Sequence, residues 1–303
     1  MRRLPLVLFV LSFFLLVGVF VFTLYPRIKT SSYPTPSEGK LNIVTTTYPL
    51  FDFTRNVGGE FVSVTNATPP GVEPHDFEPT PREVAFMETA DVFIMNGGGM
   101  DAWADDVATA VKNRGGVVVN MEDVVEFSAG DPHIWLDPVR AQDMVKAIRR
   151  GLGLADEAHR DMYEAQAFSY TEKLKELDSE YAMAFKSCKL HDIIVAHDAF
   201  SYLGERYTIN IHHILGISPD VEPSAKDLSS LVETAKSLGI TTVFFETLLS
   251  PKLSQTIADD IGGTTAILNP IEGLTDEQIA AGEDYLSLMK ENLTALKQAL
   301  VCQ

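Results

Sequence analysis

The stretch DEAHRDMYEAQAFSYTEKLKELDSEYAMAFK, residues 156–186, runs for about 30 residues without Gly or Pro and is rich in Glu, Lys, Ala and Leu. One helix of that length spans roughly 45 Å, enough to cross two domains. On both sides of it, short β-branched segments alternate with helical ones. Before it, strands are expected at Leu41–Thr46, Val62–Asn66, Asp91–Met95 and Val117–Asn120. Helices are expected at Phe51–Val57, from the cap Thr80 with Pro81 in its first turn, at Asp101–Lys112 and at Val139–Leu152. After it, strands fall at Ile193–Ala196, Asn210–Leu215, Thr241–Glu246 and Thr264–Leu268. Helices run up to Tyr207, from the cap Ser224 to about Leu238, over Pro251–Ile261 and over Asp284–Val301. Strand–helix alternation predicts βαβ units and a mainly parallel sheet. The expected fold is therefore α/β, with two similar lobes (41–152 and 187–303) joined by one long rigid helix (153–186). No short-period repeat is visible.

Four residues separated by long gaps stand at the ends of expected strands or in Pro- and Asp-rich loops. They are His75 in GVEPHDFEPT (71–80), His133 in DPHIWLDP (131–138), His197 in AHDAF (196–200) and Glu272 in LNPIEG (268–273). Singly the signals are modest; His75 alone reads as a surface histidine. Together they make three imidazoles and one carboxylate, two from each lobe, a donor set that suits tetrahedral Zn²⁺. His197 ends a strand at the carboxyl edge of a parallel sheet, where open α/β sheets bind ligands. The expected site lies between the lobes. Mn²⁺ prefers oxygen donors, so three imidazoles favour Zn²⁺ over Mn²⁺. His159, His191, His212 and His213 read as structural or solvated. Asp76, Asp137, Asp198 and Glu246 stand near the four, and any of them could hold the second ring nitrogen of a ligating histidine. Asn96-Gly-Gly-Gly99 follows a strand but lacks the spacing and Lys of a phosphate loop.

With 303 residues, 46% of them hydrophobic, the chain is long enough for two domains, each with its own core. A formal net charge of −18 argues against nucleic acid as a partner. Arg2-Arg3 precede an apolar run from about Leu4 to Tyr25, near the roughly 20 residues that span a bilayer. The arginines favour keeping that end in the cytoplasm and exporting the rest. Residues 1–28 read as an uncleaved membrane anchor, with a cleaved signal segment as the alternative, and residues 29–40 as a flexible tether. The protein is then expected at the extracytoplasmic face of the membrane, or periplasmic or secreted if the segment is cleaved. In an exported chain the pair Cys188 and Cys302 is a disulfide candidate; two free thiols is the plainer reading. Asn66-Ala-Thr68 and Asn292-Leu-Thr294 match the glycosylation sequon.

Residues 40–303 resemble the metal receptors of zinc and manganese ABC importers, the ZnuA/TroA/AdcA-type solute-binding proteins. The resemblance rests on TTYP (46–49), PHDFEP (74–79), DPHIWLDP (131–138), HDAFSYL (197–203), GISPDVEPS (216–224) and LNPIEGL (268–274). It implies a non-enzymatic receptor, a monomer of two α/β lobes that binds Zn²⁺ through His75, His133, His197 and Glu272 and delivers it to ABC permease subunits. Glu272 is the ligand that varies in such proteins, where Asp or solvent can stand instead. Two features depart from the pattern: Val117–Ala129 contains no His-rich loop, and no lipid-attachment Cys is present. A manganese receptor, a metal-dependent cell-surface adhesin and a zinc hydrolase using Glu272 as general base are the alternatives, the last without an HExxH motif.

Overall fold

The computed structural model describes residues 39–128 and 130–303. The expected anchor and nearly all of the tether lie outside the described residues. Each of the eight expected strands is present. The first sheet contains β1 (Leu41–Thr45), β2 (Val62–Asn66), β3 (Val92–Met95) and β4 (Val117–Asn120) in the order β2-β1-β3-β4. The second contains β5 (Asp192–Val195), β6 (Asn210–His213), β7 (Thr242–Phe245) and β8 (Thr264–Ile267) in the order β6-β5-β7-β8. Every pairing is parallel, so the two lobes share one winding order. Each sheet reverses direction beside its first strand, and the loops leaving the carboxyl ends there form the crevice that α/β folds use for ligands.

The helices start where local chemistry starts them. Thr80 accepts from the backbone of Glu83, whose carboxylate accepts from Thr80 in return; Ser224 and Asp227 do the same. Such capping boxes satisfy amide donors that helix geometry leaves free. Helix Asp276–Ala281, capped by Thr275, was not anticipated; six residues are too few for a visible hydrophobic period.

The linking element differs from one unbroken helix over 156–186. The preceding helix, Pro138–Ala155, runs three residues beyond its expected end. A 3₁₀ turn, Glu157–His159, precedes the long α-helix, Arg160–Ala184. Asp156 forces the break. Its backbone leaves the helical region, at φ −140° and ψ 85°, and its carboxylate accepts from Tyr163 Oη at 2.8 Å and pairs with His159 Nδ1 at 2.7 Å. The long helix is then roughly 37 Å long. It buries Tyr163, Ala167, Tyr170, Leu174, Leu177 and Tyr181, a three–four repeat down one face. The tyrosine hydroxyls find partners at both ends of this face. Tyr170 donates to Asp52 at 3.0 Å in the first lobe, and Tyr181 donates to the Met289 carbonyl at 2.6 Å in the last helix, Tyr285–Ala299.

This face merges the interiors. One apolar cluster runs from Ile43 and Phe53 through Tyr170 and Leu174 to Val195, Leu268 and Leu296. Only the outer sheet faces keep private cores, around Phe93 and Val107 in one lobe and Val243 and Ile257 in the other. The length leads one to expect two independent cores; instead the buried face of the linking helix belongs to the interior of both lobes. Cys188 and Cys302 are joined as a disulfide, and Lys189 and Leu190 donate to the Leu300 carbonyl beside it. No helix among the described residues is long and apolar enough to cross a membrane.

Candidate metal centre

His75, His133, His197 and Glu272 converge, each from a loop at the carboxyl end of a parallel strand: β2, β4, β5 and β8. Their ligand atoms all lie within 4.8 Å of one another. His133 Nε2 is 3.2 Å from His75 Nε2, 3.3 Å from His197 Nε2 and 2.9 Å from Glu272 Oε1. Glu272 Oε1 is 3.4 Å from His75 Nε2 and 3.3 Å from His197 Nε2. Bonds of about 2.0–2.2 Å to a central Zn²⁺ give tetrahedron edges of about 3.3–3.6 Å, close to these separations. His133 and His197 are fully buried and Glu272 nearly so; the His75 ring reaches solvent slightly.

Carboxylates set two of the tautomers. Asp131 Oδ1 lies 2.6 Å from His133 Nδ1 and also accepts the His133 backbone N–H. Glu246 Oε1 makes the same pair of contacts to His197, 2.7 Å from Nδ1. A proton held on Nδ1 leaves the Nε2 lone pair facing inward, as metal binding requires. Of the four carboxylates considered from sequence, only Glu246 plays this part. Asp137 caps the helix at Pro138 and is gripped by Arg206, Asp198 accepts from Ser201, and Asp76 lies beside Asp220. Asp131 was overlooked, although it stands two residues before His133 in the quoted motif. His159 stacks on Phe61, and His212 pairs with Asp192. Neither they nor His191 and His213 join the cluster.

The charges balance internally. Burial opposes ionisation of Glu272, yet His197 and hydrogen bonds from the three imidazoles hold its carboxyl well below the usual range. Burial likewise opposes protonation of the imidazoles. For His133 this is outweighed by Asp131 and Glu272, and for His197 by Glu246 and Glu272, so both rings are raised above the ordinary histidine value. The pocket attracts positive charge, and a divalent ion is one way to supply it.

The supporting turns explain residues that looked generic. Asn96 Nδ2 donates to the Pro132 carbonyl at 3.1 Å, steadying the His133 loop, and the three glycines after it adopt positive φ. A Cβ on Gly97 would stand 2.7 Å from Asn120 Oδ1, so glycine is required there by both space and conformation. Before Glu272, Ile271 is held at φ 61°, rare for a β-branched residue, by donating to Asn269 Oδ1 at 2.8 Å. Asn292 bonds both ways with the Asn269 backbone and is buried, which rules it out as an accessible sequon in the folded chain.

With this geometry in place, comparison with known proteins is direct. The family of the periplasmic zinc-uptake complex component A, ZnuA, matches residues 43–299. The chain belongs to the ZnuA family. The high-affinity zinc uptake system protein ZnuA of Bacillus subtilis is 35% identical over 281 residues, 86% of this chain and 88% of that protein. The Zn(II)-bound ZnuA-like domain of Streptococcus pneumoniae AdcA is 38% identical with a TM-score of 0.77, covering 86% of this chain and 99% of that one. The laminin-binding protein Lmb of Streptococcus agalactiae, described as an adhesin with metal-transporting activity, is 31% identical with a TM-score of 0.78 over 86% and 99% of the two chains. The chain spans 56% of the length of the zinc-binding AdcA of Streptococcus pyogenes. The family match agrees with the resemblance drawn from its motifs.

Proposed function

We propose that the protein is an extracytoplasmic receptor that binds one Zn²⁺ through His75, His133, His197 and Glu272 and passes it to the membrane subunits of an ABC importer. The observation that carries this reading is the convergence of three Nε2 atoms and one carboxylate oxygen at separations close to tetrahedron edges. Zinc is cargo here. The protein's task is to hold it with neutral imidazoles and one counter-charge, away from water, and then let it go. Three nitrogen donors favour Zn²⁺ over Mn²⁺. In this reading the protein acts as a monomer held at the membrane by residues 1–28.

Purified protein stripped with chelator and titrated with Zn²⁺ tests the assignment. One ion should bind tightly, with Mn²⁺ displaced in competition. No uptake, or Mn²⁺ bound in preference, overturns it. The family likeness to an adhesin supports a second reading, laminin binding as an additional role, which a solid-phase laminin assay with and without zinc would separate from transport.

A further inference from the structure

The short helix Ser201–Tyr207 follows closely on His197. The joint between them is braced: the Ala199 N–H donates to the His197 carbonyl at 2.9 Å, and Ser201 Oγ donates to Asp198 Oδ1 at 2.7 Å. Tyr202 and Arg206 stand four positions apart on this helix and so share a face. Both reach the segment of the other lobe that carries His133. Tyr202 is buried, and its Oη accepts the Ser128 N–H at 2.7 Å and donates to the Asp131 carbonyl at 2.8 Å. Asp131 is the residue whose carboxylate holds His133 Nδ1. Arg206 places Nε 2.9 Å from Asp137 Oδ1 and Nη2 2.7 Å from Asp137 Oδ2, a fork that fixes direction as well as distance. The segment is thus gripped on both sides of His133 by two side chains of the element that carries His197. The Arg140 guanidinium, 4.4 Å from the centre of the Tyr202 ring, adds a third contact across the same joint.

We propose that Tyr202 and Arg206 are positioning residues for the metal centre, together holding the His133 segment at a fixed distance from His197. This inference rests on the ligand assignment above. The two Nε2 atoms come from different lobes and stand 3.3 Å apart. A binding constellation keeps its affinity only while such separations hold to about 0.5 Å. Ligands already spaced for the ion lose less freedom when it binds, so the clamp strengthens binding without touching the metal.

The alternative is that these contacts only pack the lobes together, and substitutions separate the two. Y202F keeps the ring against Arg140 and loses both hydroxyl bonds. R206M keeps most of the stem and loses the fork, while R206K keeps the charge and can restore one bond. The pair C188S with C302S serves as a reference destabilised away from the site. For each full-length variant, three quantities are measured: Zn²⁺ affinity by chelator competition, the visible spectrum of the Co²⁺-loaded protein, and the melting temperature of the zinc-free protein. Y202F and R206M should each bind Zn²⁺ about tenfold more weakly or worse and show an altered Co²⁺ spectrum, with R206K between R206M and wild type. Wild-type affinity and spectrum in both Y202F and R206M overturn the proposal. So does a loss of affinity no greater than the disulfide-free reference shows for the same loss of melting temperature. The Arg206 side chain is 36% exposed, so R206M carries the test alone if Y202F fails to fold. A wild-type protein that binds neither Co²⁺ nor Zn²⁺ instead overturns the ligand assignment itself.

Discussion

The indole N–H of Trp135 donates to the backbone oxygen of Pro270 at 2.7 Å, bridging 135 residues of sequence between the turn after His133 and the turn before Glu272. Tyr285 secures the joint by donating its hydroxyl to the Trp135 carbonyl, and all of these groups are buried. One ligand from each half is thus held by contacts that do not involve an ion. The continuous core along the long helix works in the same direction, because opening the halves widely would expose it.

Capture and release of zinc should therefore need only small movements, unlike the wide hinge closure of some receptors. Small-angle scattering profiles of zinc-free and zinc-bound protein should nearly coincide. A clear fall in radius of gyration on adding zinc would contradict the shared-core argument.

Substitutions at the centre should form a graded series. His133→Ala removes a ligand and leaves Asp131 and Glu272 facing an emptied, buried space, so zinc affinity should collapse. Asp131→Asn and Glu246→Gln leave all four ligands in place, change the charge on the partner of the second ring nitrogen, and should each cost about 10–100-fold. His75 reaches solvent, and among the described residues no carboxylate pairs with its Nδ1, so His75→Ala should cost less than His133→Ala. Competition with a chromogenic chelator measures all four, and equal losses at His75 and His133 would refute the ordering.

Acid should release zinc. Burial lowers the proton affinity of His133 and His197, but the carboxylates against them raise it further, so both fold with pKa values above the ordinary value near 6.5. A raised imidazole pKa stabilises the zinc-free fold below the unfolded value, and that contribution is lost as pH rises through the folded value. Zinc requires the neutral rings, so its affinity falls as pH drops through the same raised window, starting above pH 6.5. Titrations at pH 8, 7 and 6 in one ionic strength check this; a constant affinity across them would be incompatible with it.

Asp52 should make the fold itself sensitive to pH. Burial raises its carboxyl to about 6, against a lowering hydrogen bond from Tyr170. Because the folded value lies above the unfolded one, its favourable contribution is complete in acid and is lost as pH rises through about 6. The loss amounts to roughly 3 kcal/mol at most. Asp52→Asn keeps an acceptor for Tyr170 and removes the charge. Its stability relative to wild type, from urea unfolding, should be greater at pH 7.5 than at pH 5. A difference independent of pH would count against the buried, ionising Asp52.

The Cys188–Cys302 bond closes a loop with a sequence separation of 114 residues. Chain entropy sets about 4.7 kcal/mol as the scale for loops of this size, with smaller effects common in practice. Cys188→Ser with Cys302→Ser should lower the melting temperature by several degrees while zinc stoichiometry stays at one. Unchanged melting would show that the bond adds nothing to the fold.

Strand positions were legible because buried parallel strands are short apolar runs and each was bounded by turn residues; Leu41–Thr45 and Val92–Met95 are examples. The helix break at Asp156 was not, because it depends on Tyr163 and His159 returning to one carboxylate, and a Gly- and Pro-free stretch carries no mark of that. Asp131 could have been found, being adjacent to His133 in sequence, but Glu246 could be distinguished from its three rivals only by distance.

The sequence by itself determined the α/β alternation, the ligand types and the bias toward zinc, because these follow from residue chemistry and short-range periodicity. Only the tertiary structure decided that Glu272 Oε1 meets all three imidazoles, that Glu246 reaches His197, and that both lobes share one core. Those depend on pairs far apart in sequence, such as Trp135 with Pro270, and such contacts exist only once the chain has closed on itself.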